Sequence, residues 1–279
     1  MIAIKSAAAH AGELRRRLDR STIYDWAMRC PLVVYSSVIL LRDVLSFCQQ
    51  VAHDPVLFSH FDANIALAVL ARISQWMFVI LLSIQPLFRL RPIAKSDDIL
   101  PRVGALVAVS VPLLFLLLDR AAPSFTFNLS AVVISLLANV MALVTASFLG
   151  RSLSVMPEAR RLVQNGPYGV IRHPLYFCEL IGTAAVFLQY RSWPATVLLL
   201  LAITLLVARA QWEEAVLAHA FPEFAAYRRR TSFLIPRQPL HLFASFMTDP
   251  VARRRLVLVI VIMIAVLAPM AALPWKLLV

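Results

Sequence analysis

Residues 160–176 read RRLVQNGPYGVIRHPLY, the densest group of chemically capable side chains between the apolar segments of the chain. At its centre, Asn165-Gly166-Pro167 predicts a tight turn, because glycine permits positive φ and proline fixes φ while removing a donor. A second glycine, Gly169, leaves the backbone open to a ligand. Two tyrosines, an arginine and a histidine follow within nine residues. The stretch is therefore a candidate functional loop.

The end of this loop is predicted to start a helix at Pro174, since a missing N–H costs nothing in the first turn. Free backbone donors beside Arg172 and His173 would then favour a carboxylate or a phosphate. The helix repeat places Tyr176 and Glu179 on one face. Glu179 either points at the site or pairs with a cation from a neighbouring loop.

The sequence on either side is mostly apolar, with 61% hydrophobic and 15% charged residues, whereas soluble domains have about 25% charged residues. The apolar residues lie in blocks of about 20, the length that a helix needs to cross a bilayer. This pattern predicts an all-α, polytopic integral membrane bundle with about seven transmembrane helices. The predicted spans are 31–48, 63–88, 103–118, 127–149, 174–190, 193–210 and 256–275.

The positive charge follows the same organisation. Of 27 Lys and Arg residues, six precede residue 31, four lie in 89–102, four in 150–173 and eight in 209–255. Alternate loops are thus cationic, which places the N-terminus and the candidate site in the cytoplasm. The net charge of +12 reflects topology rather than nucleic-acid binding. The Ala-, Leu- and Arg-rich composition indicates a bacterial inner-membrane protein.

Ionisable residues also occur inside predicted spans: Arg42 and Asp43 in the first and Arg72 in the second. Charge inside a bilayer is costly, so such residues are candidate functional groups. Mutual pairing, or snorkelling toward an interface, is the favoured alternative. The three cysteines are isolated in spacing and form neither a metal signature nor a disulfide framework.

A second polar group, Arg209–Glu214 (RAQWEE), lies at the end of the predicted span 193–210. A tight turn at 191–194 joins the two intervening segments into a hairpin, so this group and the loop at 160–176 lie at the same membrane surface. Arg209 and Glu213 are four residues apart and share a helix face. A weak intrahelical ion pair is the structural alternative to a functional role.

The segment from Glu213 to Arg230 carries apolar residues at three- and four-residue spacing, which predicts an amphipathic stretch lying on the bilayer. Pro222 would divide it into two short helices. The run Arg228–Arg230 is expected to anchor the chain at headgroup level.

These motifs form a recognisable set: G-P-Y-x-x-x-R-H-P-x-Y, an apolar hairpin, R-x-x-x-E-E-x-x-L and a later Leu234-Ile235-Pro236. The set, over about 150–237, resembles the isoprenylcysteine carboxyl methyltransferase family and its relatives, the integral-membrane phospholipid and thiol methyltransferases. One departure is Phe221-Pro222-Glu223-Phe224, where a glycine often precedes the acidic residue. We expect three parts. Residues 1–126 hold a basic arm and three helices of unassigned role, 127–240 the methyltransferase core, and 241–279 a C-terminal transmembrane helix.

The resemblance implies S-adenosylmethionine as methyl donor, bound without a Rossmann domain. The sequence agrees, since it has six glycines and no G-x-G-x-x-G. The residues implied to bind the cofactor are Arg161, Leu162, Val163, Tyr168, His173, Pro174, Leu175, Tyr176 and Glu213. The candidate catalytic residues are Arg209 and Arg172, and Arg209 and Glu179 are expected to face the acceptor.

The acceptor is expected to be lipophilic: a small molecule, a prenylated partner or a membrane lipid. A carboxylate acceptor needs no general base, and the planar fork of Arg209 suits it. Positioning and water exclusion would then supply most of the rate. An amine must lose a proton, for which His173 and Glu179 are candidate bases, and a thiol needs a stabilised thiolate. Isoprenylcysteine-type O-methylation is the leading interpretation, followed by phospholipid-amine or thiol methylation.

Two other functional classes are compatible with an apolar bundle. Membrane sterol-type reductases, which use NADPH, share a hairpin near the C-terminus, but Glu213-Glu214 after Arg209 favours the methyltransferases. A transporter is expected to show internal repeats and helices broken at the bilayer midplane. Here the polar residues gather at one surface instead.

Overall fold

The computed structural model describes residues 30–53, 63–96, 98–119, 121–122 and 124–272. Apart from one small sheet, the regular structure of these residues is helical. The α-helices are α1 (Cys30–His53), α2 (Ala63–Ile84), α3 (Ile99–Ser110), α4 (Phe125–Leu149), α5 (Pro174–Tyr190), α6 (Trp193–Ala220), α7 (Phe224–Arg230), α8 (Pro239–Thr248) and α9 (Pro250–Ala272). The 3₁₀ helices are Gln85–Phe88, Val111–Leu117, Gly150–Ser152 and Gly166–Gly169. The sheet pairs β1 (Ala94–Lys95) antiparallel to β2 (Glu158–Ala159).

Each predicted apolar span overlaps one of these helices, and the all-α class fits the described chain. Within the described residues, two stretches are long and apolar enough to cross a membrane, Phe125–Ser152 and Trp193–Ala220. Crossing by the other helices stays a prediction. The basic arm before residue 30 and the end of the last predicted span lie outside the described residues.

Helix α4 is the centre of the bundle and packs against α5, α2 and α9. Its buried face is rich in small residues: Ala138, Val144 and Ala146 are at most 2% exposed. A Cβ built on Gly182 of α5 would lie 3.9 Å from that of Ala138. Small residues let helix backbones approach closely. Helix α5 is therefore held along α4, and this contact fixes where its N-terminal residues lie.

Asp43 of α1 and Arg72 of α2 pair with each other, which is one of the predicted alternatives. The Arg72 Nε atom lies 3.7 Å from Asp43 Oδ2, and the indole N–H of Trp76 donates to the same oxygen at 2.6 Å. The Arg72 guanidinium also lies 4.9 Å from the ring centre of Phe47. This cluster stabilises the contact between α1 and α2 and is separate from the candidate site.

The hairpin between α5 and α6 places the candidate functional residues at the same distance from the turn along the two helices. Arg191 adopts the left-handed conformation (φ 38°, ψ 39°) at the end of α5. The Ser192 hydroxyl oxygen then caps α6 by accepting a hydrogen bond from the Ala195 N–H at 3.3 Å. Pro174 and Arg209 lie equally far from this turn along their helices. The two polar groups therefore meet at one end of the hairpin.

Helix α6 is one continuous element through the second polar group. Its 28 residues span about 42 Å at 1.5 Å per residue, whereas a bilayer's hydrocarbon core is about 30 Å thick. Helix α6 is thus longer than the hydrocarbon core of a bilayer is thick. The chain does break around Pro222 before α7 begins. The prediction of two short interfacial helices is half wrong, because the segment from Glu213 to Ala220 is the end of α6.

The turn at Gly166 generates a testable prediction. Gly166 and Gly150 both have positive φ, +60° and +50°, and a residue other than glycine costs about 1–3 kcal/mol in such sparsely populated backbone conformations. A Cβ at Gly166 would also lie 2.6 Å from the Phe148 ring, whereas a Cβ at Gly150 meets nothing within 4 Å. Overpacking costs about 1–3 kcal/mol more.

Gly166→Ala is therefore expected to lower the unfolding free energy by about 2–6 kcal/mol and Gly150→Ala by about 1–3 kcal/mol. The measurement is denaturant unfolding of the detergent-solubilised proteins, followed by tryptophan fluorescence. Equal losses in the two variants would contradict the packing of Gly166 against Phe148.

Candidate active site

The N-terminus of α5 is held by the segment that follows α7. Ile171 and Ser232 form a parallel bridge. The Arg172 N–H donates to the Ser232 carbonyl at 2.9 Å, and the His173 N–H donates to the Phe233 carbonyl at 3.3 Å. The expectation of free backbone donors beside Arg172 and His173 is therefore wrong. A distant segment forms a short extended pairing there and occupies these donors.

The Glu214 carboxylate connects α6 to the start of α5. Its Oε1 atom lies 2.5 Å from Arg172 Nε and 3.2 Å from His173 Nε2. The Arg172 Nη1 group also donates to the carbonyls of Thr231, at 2.5 Å, and Arg228, at 3.0 Å. The Nε and Nη1 groups of Arg172 are thus engaged by protein groups, and the residue also lines the cavity described below. A catalytic role for Arg172 stays a prediction.

Tyr176 joins the two helices inside the site. Its hydroxyl donates to Glu213 Oε2 at 2.6 Å. Its ring is stacked on the His173 imidazole, with ring centres 5.3 Å apart and an interplanar angle of 5°. The Arg209 guanidinium carbon lies 4.6 Å from the Tyr176 ring centre. One tyrosine therefore contacts side chains from both polar groups of the sequence.

Arg209 pairs across helices rather than along its own. Its Nη1 atom lies 3.5 Å from Glu179 Oε2 on α5, and its Nε–H donates to the Val155 carbonyl at 3.2 Å. The intrahelical pair with Glu213 is not formed, because Glu213 turns to the Tyr176 hydroxyl instead. Of the two alternatives for Glu179, the structure shows pairing with a cation, supplied by α6 rather than by a loop.

These side chains surround a cavity with about 750 Å³ of empty space, including its open mouth. The predicted site residues that line it are Arg161, Leu162, Val163, Tyr168, Arg172, His173, Leu175, Tyr176, Arg209 and Glu213. Two predicted residues do not: Pro174 is buried at the first position of α5, and Glu179 contacts Arg209 without lining the cavity.

Sequence reasoning missed a second wall, formed by the segment before residue 161. The Glu158 Oε2 atom accepts hydrogen bonds from Arg160 Nη2 at 2.5 Å and from the Ser154 hydroxyl at 3.0 Å. The Arg160 Nε–H donates to the Leu90 carbonyl at 2.6 Å. The sequence indicates this wall only through the spacing of Glu158 and Arg160. Residues two apart lie on the same side of an extended strand. The missed lining residues are Leu149, Ser152, Leu153, Ser154, Met156, Glu158, Arg160, Leu217, Phe224 and Tyr227.

Tyr168 brings a buried hydroxyl to the cavity. Tyr168 is 5% exposed, and among the described residues its hydroxyl oxygen has no hydrogen-bond partner. Its backbone carbonyl accepts a hydrogen bond from the Tyr227 hydroxyl at 2.7 Å, which fixes the loop. Burial, and next the charge of Glu213, hold the pKa of Tyr168 well above its usual value. The phenol therefore stays protonated.

The comparison with protein families agrees with the motifs. Residues 125–223 match the family model described as phospholipid methyltransferase. The match begins at the first residue of α4 and includes the loop, the α5–α6 hairpin and the end of α6. The resemblance to the isoprenylcysteine carboxyl methyltransferase group is thereby confirmed.

Two curated proteins are similar to part of the chain. A stretch of 81 residues is 44% identical to the cobalt-zinc-cadmium resistance protein CzcN of Cupriavidus metallidurans and covers 29% of this chain and 38% of that protein. A stretch of 89 residues is 38% identical to the nickel-cobalt-cadmium resistance protein NccN of Alcaligenes xylosoxydans xylosoxydans and covers 32% and 41%. The chain thus spans about two fifths of each relative. No solved structure matches the chain.

Glu214 provides a direct test of the site's architecture. Removing one partner of a buried ion pair costs about 3–5 kcal/mol, because the other charge is left uncompensated. We expect Glu214→Gln to lower the unfolding free energy by about 3 kcal/mol. Glu213→Gln keeps an acceptor for Tyr176 and should cost less than about 1 kcal/mol. Chemical denaturation of both variants in detergent makes the comparison. Equal losses would contradict the anchoring role of Glu214.

Proposed function

We propose that the chain transfers a methyl group from S-adenosylmethionine to a lipophilic acceptor. Residues 125–223 match the phospholipid methyltransferase family model, which belongs to the isoprenylcysteine carboxyl methyltransferase group of membrane enzymes. One observation carries the proposal: the two polar groups of the matched segment converge on one cavity. Tyr176 on α5 bonds Glu213 on α6, and Arg209 lies beside the same ring.

Two features of the cavity suit S-adenosylmethionine. The Tyr168 hydroxyl supplies a buried donor that lacks an acceptor, and such groups normally have a partner. The Glu213 carboxylate accepts from Tyr176 through one oxygen. Its second oxygen is offered to an ammonium or hydroxyl group of the ligand.

The proposed cofactor residues are those that line the cavity around Tyr168 and Glu213. They are Arg161, Leu162, Val163, His173, Leu175 and Tyr176. Pro174 acts indirectly, since it begins α5 and so sets the positions of its neighbours. When bound, the sulfonium of S-adenosylmethionine supplies an electrophilic methyl group. The protein's part is to orient donor and acceptor and to exclude water.

Arg209 is the proposed residue for acceptor recognition. Arg209 is 5% exposed, and its guanidinium is only loosely paired with Glu179, at 3.5 Å, compared with about 2.7–2.9 Å for a charge-assisted hydrogen bond. Glu179 already places a carboxylate beside Arg209, which supports an acid acceptor that takes its place. The guanidinium would hold one oxygen of this acid and leave the other to attack. An isoprenylcysteine-type carboxylate fits this chemistry.

A phospholipid amine is the second candidate acceptor, favoured by the description of the matched family. An amine must lose a proton before or during transfer. His173 Nε2 is already engaged by Glu214 at 3.2 Å, so Glu179 is the better placed of the two candidate bases. A carboxylate acceptor therefore takes the place of Glu179 beside Arg209, whereas an amine acceptor requires Glu179 as a base.

We further propose that all seven apolar segments cross a bacterial inner membrane and that the cavity faces the cytoplasm. The four cation-rich segments of the sequence support this orientation. Within it, α3 is not independent of the methyltransferase core. A Cβ at Gly104 of α3 would lie 2.5 Å from the Trp212 ring of α6, so α3 packs closely against the helix that carries Arg209 and Glu213.

Tyr168→Phe tests cofactor binding. The variant removes only the unpartnered hydroxyl, so we expect roughly a threefold to tenfold loss of affinity for S-adenosylhomocysteine, the value of one hydrogen bond, with no loss of stability. Tyr227→Phe is the matched control, because it removes a hydrogen bond that is made within the protein and should lower stability. Isothermal titration in detergent gives the affinities.

Titration of the unmodified chain with NADPH tests the reductase alternative. Tight NADPH binding would favour that interpretation over a methyltransferase.

Arg209→Ala tests acceptor recognition. We expect the variant to lose methyl transfer while its affinity for S-adenosylhomocysteine stays within about threefold, because Arg209 is assigned to the acceptor. The assay is labelled-methyl transfer to a panel of prenylcysteine, phospholipid and thiol acceptors. Full turnover in Arg209→Ala would contradict the assignment of Arg209 to the acceptor.

Glu179→Gln distinguishes the two candidate acceptors. We expect this variant to leave carboxylate methylation intact and to abolish amine methylation.

A further inference from the structure

A second cavity lies beside the proposed active site. It contains about 820 Å³ of empty space, including open solvent. Three guanidinium groups line it, from Arg228, Arg229 and Arg237, together with apolar side chains that include Phe221 and Phe224. Phe224 also lines the first cavity, so the two cavities share a wall.

The charge in this second cavity is only partly compensated. Arg228 Nε lies 3.7 Å from Glu214 Oε2, and the Arg228 side chain is 65% exposed. Glu214 is already bound by Arg172 and His173 at shorter distances. Within residues 124–272, no carboxylate lies within 4 Å of Arg229 or Arg237. The cavity therefore presents an excess of guanidinium groups, which pair well with phosphate oxygens.

The position of the cavity indicates headgroup depth. It is formed directly after Ala220, where the membrane-crossing stretch Trp193–Ala220 ends. Arg237 precedes α8, whose Leu240, Phe243 and Met247 are exposed by 80%, 48% and 58%. These three lie on one helix face. An exposed apolar stripe beside arginines is typical of a helix lying in the membrane interface.

We propose that this cavity binds the phosphate group of a membrane phospholipid, held by Arg228, Arg229 and Arg237, while the lipid's chains run along the apolar surface of α8. The arginine run thus has a specific ligand beyond general anchoring. The site adjoins the cavity of the proposed function but does not require it to be correct.

The connection to the first cavity is through the backbone of Arg228. Its carbonyl accepts a hydrogen bond from Arg172 Nη1 at 3.0 Å, and its side chain reaches Glu214. A phosphate that draws the Arg228 guanidinium toward itself competes directly with Glu214. The bound lipid is therefore in contact with the network that positions the start of α5.

The test is native mass spectrometry of the full-length chain in detergent, titrated with phosphatidylglycerol and, separately, with a diacylglycerol of the same acyl chains. We expect phosphatidylglycerol to bind and the Arg229→Gln/Arg237→Gln variant to lose roughly tenfold in affinity, from the loss of two cations at the headgroup. Arg254→Gln is the matched control, since Arg254 is an exposed arginine of α9 outside the cavity. It should bind as the unmodified chain does.

Equal affinity of the double variant and the control would overturn the proposal, as would equal binding of the diacylglycerol. Binding of inorganic phosphate at the same concentrations, without a lipid, would assign the site to a free anion instead. The lysine variant Arg229→Lys/Arg237→Lys, which keeps the charges, should restore most binding if the glutamine variant is poorly folded. Titration with S-adenosylhomocysteine on the same samples reports separately on the proposed function.

Discussion

The whole site depends on one buried carboxylate. Glu214 belongs to α6, but its partners Arg172 and His173 stand at the entrance to α5, and Arg172 in turn holds the carbonyls of Arg228 and Thr231. One side chain thus joins two helices and the segment after α7. A carboxylate away from water is tolerable only with such partners. The constraint is mutual: the helices must meet at this point for the charges to be satisfied, and the stacked His173–Tyr176 pair is placed as a result.

The outer wall of the cavity comes from parts of the chain that carry no motif. β1 pairs with β2 immediately beside Glu158, the Leu90 carbonyl receives the Arg160 side chain, and α3 packs on Trp212. These contacts join the N-terminal half to the motif-bearing half. The N-terminal helices, whose role the sequence leaves unassigned, therefore shape the site from outside.

Much of the arrangement was readable from local chemistry. The turn at Gly166, the helix start at Pro174 and the tight hairpin at Arg191 each follow from the backbone preference of one or two residues, and together they bring Tyr176 near Arg209. The side-chain pairings within the site could not be predicted from the sequence. Arg209 pairs with Glu179 rather than with Glu213, and Glu213 accepts a hydrogen bond from Tyr176. The packing of α5 against α6 decides which of these side chains come into contact. The occupied donors at Arg172 and His173 depend on residues 232–233, about 60 positions away. The wall at Glu158 depends on a two-residue strand too short to leave a pattern.

The continuous length of α6 has a mechanical consequence. A rod about 42 Å long in a bilayer core of about 30 Å adjusts to membrane thickness by tilting, at a modest cost per ångström of hydrophobic mismatch. Helix α5 is tied to α6 at both ends, by the turn at Arg191 and by Glu214, so the hairpin tilts as one body. In the proposed membrane orientation, thicker or thinner membranes would then change how deep the mouth of the cavity sits among the lipids, while the distances within the site are preserved.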